Sequence, residues 1–355
     1  MIDCKNVLQN SGPVFFLHVM EINKWRKSIM NSNVLVTVLC ITYNHQNYIR
    51  RCLDSMICQK TNFAFEIIVH DDASTDGTQD IILEYAGRYP GLIIPVLQKE
   101  NQYSKGYNFV ENFMLPKASG KYIVGCEGDD FWCDPEKLRL QVEALETYSE
   151  CSVCVHATST ADKMGNLTEM HFPDVELAPG IILEEEFMRL SLMEGHWLFH
   201  LSSLMVSEKL FREYMKISHE GFPSEFFMVG DLPLFLFLAI SSNVYYIDRV
   251  MSTYTVESGG FMSRCENEPD FALRVHQGYI NGLTAFDEFS QYRYHEYINT
   301  SLVSRRFLID FISHRFDRIV QTPEYRPLIR KRGFLRVMKL YLAGYAMLLL
   351  GSKKQ

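Results

Sequence analysis

The chain has 355 residues, 47% of them hydrophobic and 22% charged, which is enough for a substantial buried core. Its formal net charge of -8 excludes a non-specific nucleic-acid binder, because such binding depends on dense lysine and arginine. Nine scattered cysteines form no disulfide framework and favour a reducing compartment.

Residues 1–33 are predicted to be an N-terminal extension. The apolar run Val14–Leu17 is too short for the hydrophobic part of a secretory signal, and charged residues follow it. We therefore expect a cytoplasmic protein.

From residue 34 onward the chain alternates between strand-like and helix-like patterns. A continuous β-branched run at 34–43 is typical of a parallel strand covered on both faces, and apolar residues recur at helical spacing over 48–59. The alternation continues with strands at 65–70, 92–97 and 121–126 and helices at 78–89 and 107–115. It predicts an α/β fold with an open, mixed, mostly parallel sheet flanked by helices.

Polar loops follow three of these strands. They are Thr42-Tyr43-Asn44 after the first strand, Asp71-Asp72 after the second and Glu127-Gly128-Asp129-Asp130 after the fourth. Because ligands of open α/β sheets bind beyond the carboxyl ends of the strands, we expect these loops to meet in one site. The first strand is followed by neither a glycine-rich dinucleotide fingerprint nor a P-loop, which disfavours a dinucleotide oxidoreductase and a P-loop NTPase.

The acidic loop at 127–130 is the feature that most directly indicates chemistry. Three carboxylates within four residues repel one another, so they indicate a compensating cation or hydrogen-bond donors. Hard oxygen ligands favour Mg²⁺ or Mn²⁺ carrying a phosphate. The alternative is a solvated turn, with Asp130 capping the helix that is predicted to begin near Pro135.

Four motifs occur in a fixed order along the chain. They are Thr42-Tyr43-Asn44, His70–Gly77, Ser119–Ile123 and Glu127–Asp130. With these motifs, residues 34–260 resemble the family 2 glycosyltransferases of the GT-A fold. The resemblance implies a catalytic domain over 34–260, a nucleotide-sugar donor, Mn²⁺ or Mg²⁺ as cofactor, and inversion at the anomeric carbon.

The resemblance also implies roles for individual residues. Asp72 is expected to bind the nucleotide base, with Asp71 shaping the same loop and Thr42, Tyr43 and Asn44 lining the pocket. In the acidic loop, Asp130 is expected to bind the metal, and Asp129 to contact the ribose or sugar or serve as a second metal ligand, while Glu127 stands where many relatives carry the first Asp. Asp72 could instead be a capping residue of a common turn sequence.

Asp231 resembles the catalytic base of the family. An acceptor hydroxyl is a weak nucleophile until a base removes its proton, and Asp231 opens the apolar segment 234–240 that is predicted to be helical. The alternative is a helix N-cap, since Pro233 follows in the first turn.

One departure from the family pattern lies downstream, where Thr255 and Glu257 replace an Arg and a His found in many relatives. A cation there would help to neutralise the leaving diphosphate. The departure therefore requires another cation, and Lys105 and Arg264 are the candidates that the sequence offers.

Trp197 and His196 are candidates for acceptor binding, because an indole ring can stack on a sugar. Packing in the core or in a loop is the alternative for both residues.

The C-terminal region, residues 261–355, is predicted to be helical. Its end, 330–354, is basic, rich in leucine and too short to span a bilayer, which favours a helix at the inner face of the cytoplasmic membrane. A terminal helix packed on the domain is the alternative.

The sequence therefore predicts an inverting, metal-dependent glycosyltransferase that acts on a glycan or lipid-linked acceptor, in bacterial cell-surface polysaccharide synthesis. The alternatives are a non-catalytic nucleotide-sugar-binding subunit and a nucleotidyltransferase. The second is disfavoured because the loop after the first strand is not rich in glycine and basic residues.

Overall fold

The structure is a computed structural model that describes residues 33–228, 230–256 and 260–332. Ten strands lie within these residues: β1 (Val34–Thr42), β2 (Ala64–Asp71), β3 (Ile93–Leu97), β4 (Tyr122–Glu127), β5 (Phe131–Trp132), β6 (Cys151–Ala161), β7 (Leu167–Phe172), β8 (Gly180–Ile182), β9 (Met205–Ser207) and β10 (Asn243–Thr255).

The helices within the same residues are α1 (Ile49–Ile57), α2 (Thr78–Arg88), α3 (Lys137–Thr147), α4 (Glu184–Met188), α5 (Glu208–Ile217), α6 (Asp231–Ser241), α7 (Phe261–Asn267), α8 (Pro269–Phe289), α9 (His295–Ile312), α10 (Phe316–Gln321) and α11 (Arg326–Arg332). Short 3₁₀ or π turns link several of them.

The strands form one mixed sheet in the order β3-β2-β1-β4-β9-β6-β10-β5, with β7 paired to β6 and β8 to β10. The strands β1, β2, β3, β4, β6 and β10 run in one direction, and the other four run against them. The predicted α/β architecture is confirmed.

The first βαβ unit shows why these residues form these elements. Helix α1 buries its apolar residues on one face, with Ile49, Leu53 and Met56 fully buried at helical spacing. At the amino end of β1, Gly120 approaches the strand so closely that a Cβ there would lie 2.5 Å from the backbone nitrogen of Thr37. The glycine of the 119–123 motif is therefore required by packing.

The parallel register brings the polar loops together. Thr42 is opposite Asp71 across the β1–β2 ladder, and Ile41 is opposite Glu127 across the β1–β4 ladder. Three loops that are separated by up to about 85 residues in the chain therefore leave the sheet at one level, as parallel strands require.

The predicted helix at 107–115 is wrong. A π-helical turn covers Val110–Met114 and a 3₁₀ turn covers Leu115–Lys117, with Pro116 in the second. The Asn108 side chain caps the start of this segment by accepting a bond from the Glu111 amide at 3.2 Å, but Pro116 lacks a backbone N–H, so the segment does not continue as a regular α-helix.

The chain divides into two compact units. The first contains 33–184, Trp197–Lys216 and Phe237–Val256, and it holds the sheet. The second contains Glu185–His196, Ile217–Leu236 and the described residues from Gly260 onward. Two segments from within the predicted catalytic region thus group with the C-terminal helices.

In the second unit, helix α8 packs against the loop that leads to Asp231. A Cβ at Gly282 would lie 2.4 Å from the ring of Phe227, and one at Gly278 would lie 2.9 Å from the carbonyl oxygen of Phe226. These two glycines, one helical turn apart, allow the loop to lie directly on the helix.

In the part of the chain that the structure describes, no helix is both long enough and apolar enough to cross a membrane. The predicted N-terminal extension, Glu257 and the basic segment after residue 332 lie outside the described residues, and the predictions made for them stay predictions.

Candidate active site

The loops after β1 and β2 are joined by direct hydrogen bonds. The Asn44 side chain accepts a bond from the Thr75 amide at 2.8 Å, and the Ser74 hydroxyl accepts one from the Asn44 amide at 2.8 Å. Asn44 has φ = 56°, a left-handed conformation that Asn tolerates better than most residues. Asn44 therefore connects the two loops, and Tyr43 beside it is 45% exposed.

Both aspartates of the second loop are buried and accept hydrogen bonds from nearby groups. Asp71 accepts bonds from the Ser74 amide at 2.9 Å and from the Gln79 amide group at 2.6 Å. Asp72 accepts one bond from the amide of Gln102 at 2.7 Å and another from the amide of Tyr103 at 3.1 Å. Asp72 thus holds the loop at 102–103, and its predicted contact with a nucleotide base stays a prediction.

Asp130 is fully buried and is held by residues from distant parts of the sheet. Its Oδ1 accepts a bond from the Thr255 amide at 3.0 Å, and its Oδ2 accepts one from the Ser202 hydroxyl at 2.9 Å. Helix α3 begins only at Lys137, so the alternative of Asp130 as its cap is excluded.

Glu127, Asp130 and His200 each offer one ligand atom, and these three atoms lie within 4.8 Å of one another. His200 Nδ1 is 3.6 Å from Asp130 Oδ2, and burial lowers the pKa of His200 to about 3. The imidazole is therefore neutral near pH 7, and its Nδ1 is 2.6 Å from the Ser202 hydroxyl oxygen, so a metal bound by that nitrogen would replace the contact with Ser202. Two carboxylates and one imidazole in a buried corner fit a divalent cation such as Mn²⁺.

Asp129 lies beside this cluster but is not one of its three members. Its Oδ1 is 3.8 Å from Nδ1 of His45. The Thr42 hydroxyl and His45 Nδ1 are buried without a hydrogen-bond partner in the described part of the chain. Both pack against Gly128, where a Cβ would approach them to 2.8–2.9 Å. This corner thus retains unused polar atoms beside the acidic loop.

Residues 37–214, half of the chain, match the family described as glycosyl transferase family 2. The chain belongs to this family. The match begins in β1 and contains all four sequence motifs.

Relatives of this glycosyltransferase resemble it over part of their length. An uncharacterized protein of Mycobacterium tuberculosis is 46% identical over 121 residues, 34% of this chain and 34% of the relative. TuaG of Bacillus subtilis, provisionally named a teichuronic acid biosynthesis glycosyltransferase, is 34% identical over 115 residues, 32% of this chain and 43% of TuaG. The alignments thus span about a third to two fifths of these relatives.

Two solved structures share the fold. A Staphylococcus aureus TarS structure with UDP-GlcNAc has a TM-score of 0.53 at 14% identity, covering 84% of this chain and 92% of that one. The Pyrobaculum calidifontis mannosyltransferase PcManGT with GDP-Man and Mn²⁺ has a TM-score of 0.53 at 17% identity, covering 96% and 95%. The predicted GT-A fold is confirmed.

The two cations that the sequence offered for the leaving group have other partners in this glycosyltransferase. Lys105 is exposed and pairs with Glu100. Arg264 pairs with Glu268 at 3.0 Å and lies over the ring of Phe271 at 3.9 Å. Their proposed role in neutralising the diphosphate receives no support from these contacts.

Sequence reasoning did not assign a role to Arg51 or include His200 in the metal site. Arg51 lies in the first turn of α1, and its Nη2 is 3.1 Å from Thr255 Oγ1. The roles of Arg51 and His200 follow only from the tertiary structure, which places β10 and the segment before β9 beside the acidic loop.

Asp231 is the first residue of α6, as predicted, in the second unit. Tyr279 of α8 lies nearby. Burial raises the pKa of Tyr279, the Arg305 guanidinium opposes this rise, and the charge of Asp231 adds to it. The Arg305 guanidinium carbon is 3.9 Å from the centre of the Tyr279 ring. Asp231 thus lies in a polar environment that includes a phenol and a guanidinium.

The predicted acceptor residues, Trp197 and His196, belong to different units. The Trp197 indole donates to the carbonyl oxygen of Phe199 at 3.1 Å, and its ring is 6.1 Å from that of Phe172. His196 Nε2 is 3.4 Å from a carboxylate oxygen of Glu194. Packing contacts therefore exist for both residues, and acceptor binding stays a prediction.

Proposed function

We propose that this glycosyltransferase is metal-dependent and inverting, and that it moves a sugar from a nucleotide-sugar donor to a hydroxyl of a glycan or lipid-linked acceptor. The observation that carries the proposal is the cluster of Glu127, Asp130 and His200 at the carboxyl edge of the sheet. A nucleoside diphosphate needs positive charge, and this cluster offers ligands for a cation that supplies it.

Glu127, Asp130 and His200 would hold the metal, which would be Mn²⁺ or Mg²⁺, with Asp129 beside it as the carboxylate for the ribose or the sugar. A divalent cation bound there stabilises charge on the diphosphate. The mannosyltransferase of similar fold was solved with GDP-Man and Mn²⁺, which supports this assignment.

The loops at 42–44 and 71–72 would bind the nucleotide. A nucleotide requires stacking and hydrogen-bonding partners. The exposed Tyr43 would supply the first and the unpartnered Thr42 hydroxyl the second. Asp71 would hold the loop after β2 through the Ser74 amide, and Asp72 would bind the nucleotide base while also holding the Gln102 amide. The neighbour TarS was solved with UDP-GlcNAc, which makes uridine donors the first to test.

Asp231 would act as the base. As the acceptor oxygen attacks the anomeric carbon, the hydroxyl proton passes to the Asp231 carboxylate, and the electron pair of the breaking bond leaves with the diphosphate. A single displacement of this kind inverts the anomeric configuration. Asp231 is the first residue of α6, where the helix N-terminus favours an acidic side chain.

The acceptor would be a growing polysaccharide or its lipid-linked precursor. The likeness to TuaG supports a role in cell-surface polysaccharide synthesis. The basic, leucine-rich sequence at 330–354 supports peripheral attachment to the inner face of the cytoplasmic membrane.

The proposal is tested by measuring nucleoside diphosphate release from a panel of nucleotide sugars, with Mn²⁺ or Mg²⁺ and with a chelator. We expect release that depends on the metal, and an Asp231→Asn variant whose kcat falls by about 10²- to 10⁴-fold while the KM for the donor changes little. Asp270→Asn is the matched control, because Asp270 is also an Asp in the first turn of a helix but is exposed.

Donor binding without turnover, in the presence of membrane extracts that contain acceptor, would favour the non-catalytic subunit. An Asp231→Asn variant as active as the Asp270→Asn control would remove Asp231 from the role of base.

A further inference from the structure

Arg51 lies in a polar corner with the acidic loop and the end of β10. It is partly buried, and its guanidinium carbon lies 4.2 Å from the centre of the Phe131 ring. Nη2 is 3.1 Å from the hydroxyl of Thr255 and 3.5 Å from the carbonyl oxygen of Asp129. The side chain therefore contacts Thr255 and the two residues on either side of Asp130, which are Asp129 and Phe131.

Thr255 connects Arg51 to both aspartates of the loop. Its hydroxyl donates to the Asp129 carbonyl oxygen at 2.6 Å, and its amide donates to Asp130 Oδ1 at 3.0 Å. Thr255 therefore links the Arg51 guanidinium to Asp130, the carboxylate that is proposed to hold the metal.

Arg51 forms no ion pair within 33–228, 230–256 and 260–332, and its hydrogen bonds there use Nη2, although the charges of Asp130 and Asp129 act on it from a greater distance. A guanidinium has five N–H donors, so those on Nε and Nη1 remain for another partner. The chain makes room for the group at Gly165, where a Cβ would lie 2.8 Å from Nη1 and where φ is +86°. A cation with spare donors beside an acidic phosphate site is suited to an anion.

We propose that Arg51 supplies the positive charge that stabilises the departing diphosphate at this corner. The inference rests on the proposed function, and it deepens that function by naming a residue for the leaving group. When the bond between the anomeric carbon and the diphosphate oxygen breaks, the electron pair stays on that oxygen. The added negative charge is then stabilised by the guanidinium, while the acceptor proton resides on Asp231.

The competing role is a purely structural one, in which Arg51 holds the Asp129 carbonyl and the Thr255 hydroxyl in place. The structural role uses only the two hydrogen bonds of Nη2, whereas the proposed role also requires the charge. An experiment that restores the charge and the hydrogen bonding separately distinguishes the catalytic role from the structural one.

The experiment compares Arg51→Gln, Arg51→Lys and Arg51→Ala with the wild type, using kcat and KM for metal-dependent diphosphate release from the active donor. Arg51→Ala is also assayed with millimolar guanidinium and, separately, with millimolar urea, which has a similar shape and similar donors but no charge. Arg50→Gln is the control, because Arg50 is the neighbouring residue, is exposed and pairs with Glu84 at 2.6 Å. Thermal unfolding of every variant shows which of them are folded.

We expect Arg51→Gln to lower kcat by about 10²-fold with little change in the KM for the donor, because the charge is needed when the bond breaks. Arg51→Lys should recover part of the loss, and guanidinium but not urea should raise the rate of Arg51→Ala. Arg50→Gln should keep the wild-type rate within about twofold, as expected for an exposed ion pair.

The inference is overturned if folded Arg51→Gln keeps the wild-type kcat. It is also overturned if urea rescues Arg51→Ala as well as guanidinium does, or if neither does and Arg51→Lys is as slow as Arg51→Gln, because hydrogen bonding alone would then explain the residue. A wild type that binds donors but releases no diphosphate is a different result, since it refutes the proposed function first and this inference with it.

Discussion

Two Asp-Asp pairs follow strands of the same sheet, yet their environments differ. Asp71 and Asp72 accept hydrogen bonds from groups that lie 3 to 31 residues away in the chain. Asp130 accepts its bonds from Ser202 and Thr255, which lie 72 and 125 residues away. The first pair is satisfied by groups between residues 74 and 103, whereas Asp130 depends on segments that come much later in the chain.

The difference between the pairs concerns which other potential ligand atoms lie nearby. Asp71, Asp72 and Asp130 all accept hydrogen bonds from protein groups. Around Asp130, by contrast, Glu127 and His200 bring further ligand atoms to within 4.8 Å. Acidic residues of similar appearance thus hold neighbouring segments in one case and are candidate metal ligands in the other, and the contact of Asp72 with a nucleotide base stays a prediction.

The largest effect expected from this comparison is that of Asp130→Asn. Removing the charge of a proposed metal ligand should lower the rate of diphosphate release by at least about 10²-fold and weaken Mn²⁺ binding, because an amide is a poorer ligand for a hard cation. Mn²⁺ binding measured by electron paramagnetic resonance and steady-state kinetics check this. Unchanged Mn²⁺ affinity would exclude Asp130 as a ligand.

The variant matched to Asp130→Asn is Glu66→Met. It removes a buried carboxylate whose hydrogen bonds all come from other residues of the fold. Glu66 accepts from the Thr37 hydroxyl and the Ser119 amide, both at 2.7 Å. Its loss leaves these donors unsatisfied and should cost about 1–3 kcal/mol of unfolding free energy, with the kcat of the folded enzyme unchanged. A Glu66→Met variant that is stable but inactive would contradict the distinction between internal and ligand-binding carboxylates.

Lys137 extends the comparison to a buried cation. It is fully buried, donates to Gln141 at 2.7 Å, and lies over Trp132 at 4.4 Å. Burial lowers its pKa from 10.5 to about 7. At pH values between the folded and the unfolded pKa of Lys137, the unfolded chain holds a proton that the folded protein lacks. Lys137 should therefore make the free energy of unfolding rise with pH from about 7 to about 10.

Lys137→Met should therefore raise the unfolding free energy at pH 7, by an amount on the order of a few kcal/mol, and should flatten its dependence on pH above 7. Urea unfolding at a series of pH values checks this, with the exposed Lys60→Met as control. A stability profile of Lys137→Met that rises with pH as steeply as that of Lys60→Met would show that the lysine is not the cause.

The smallest effect is expected for Asp72→Ala. The amides of Gln102 and Tyr103 would lose their acceptor, so the loop should loosen and the donor KM should rise by about tenfold, corresponding to about 1.4 kcal/mol. Hydrogen exchange at residues 100–107 checks this, with exposed Asp80→Ala as control. A raised KM with unchanged exchange would instead show Asp72 to be a direct nucleotide ligand.

Local sequence patterns were sufficient where neighbouring residues decide the structure. The strands at 34–43 and 121–126 and the helix after Asp231 were predictable, because side-chain periodicity reflects which face is buried. The segment 107–115 was not predictable in this way. Its pattern has helical spacing, but Pro116 prevents a regular α-helix there, and short π and 3₁₀ turns form instead.

The sequence by itself determined the α/β alternation, the edge of the sheet where the polar loops emerge, and the acidic character of that edge. Only the tertiary structure decided that His200 and Ser202 lie beside Asp130, and that Arg51 meets Thr255 across 204 residues of chain. The physical reason is that periodicity records which face of a segment is buried. The partner of each polar side chain depends on strand order and register, which no local pattern contains.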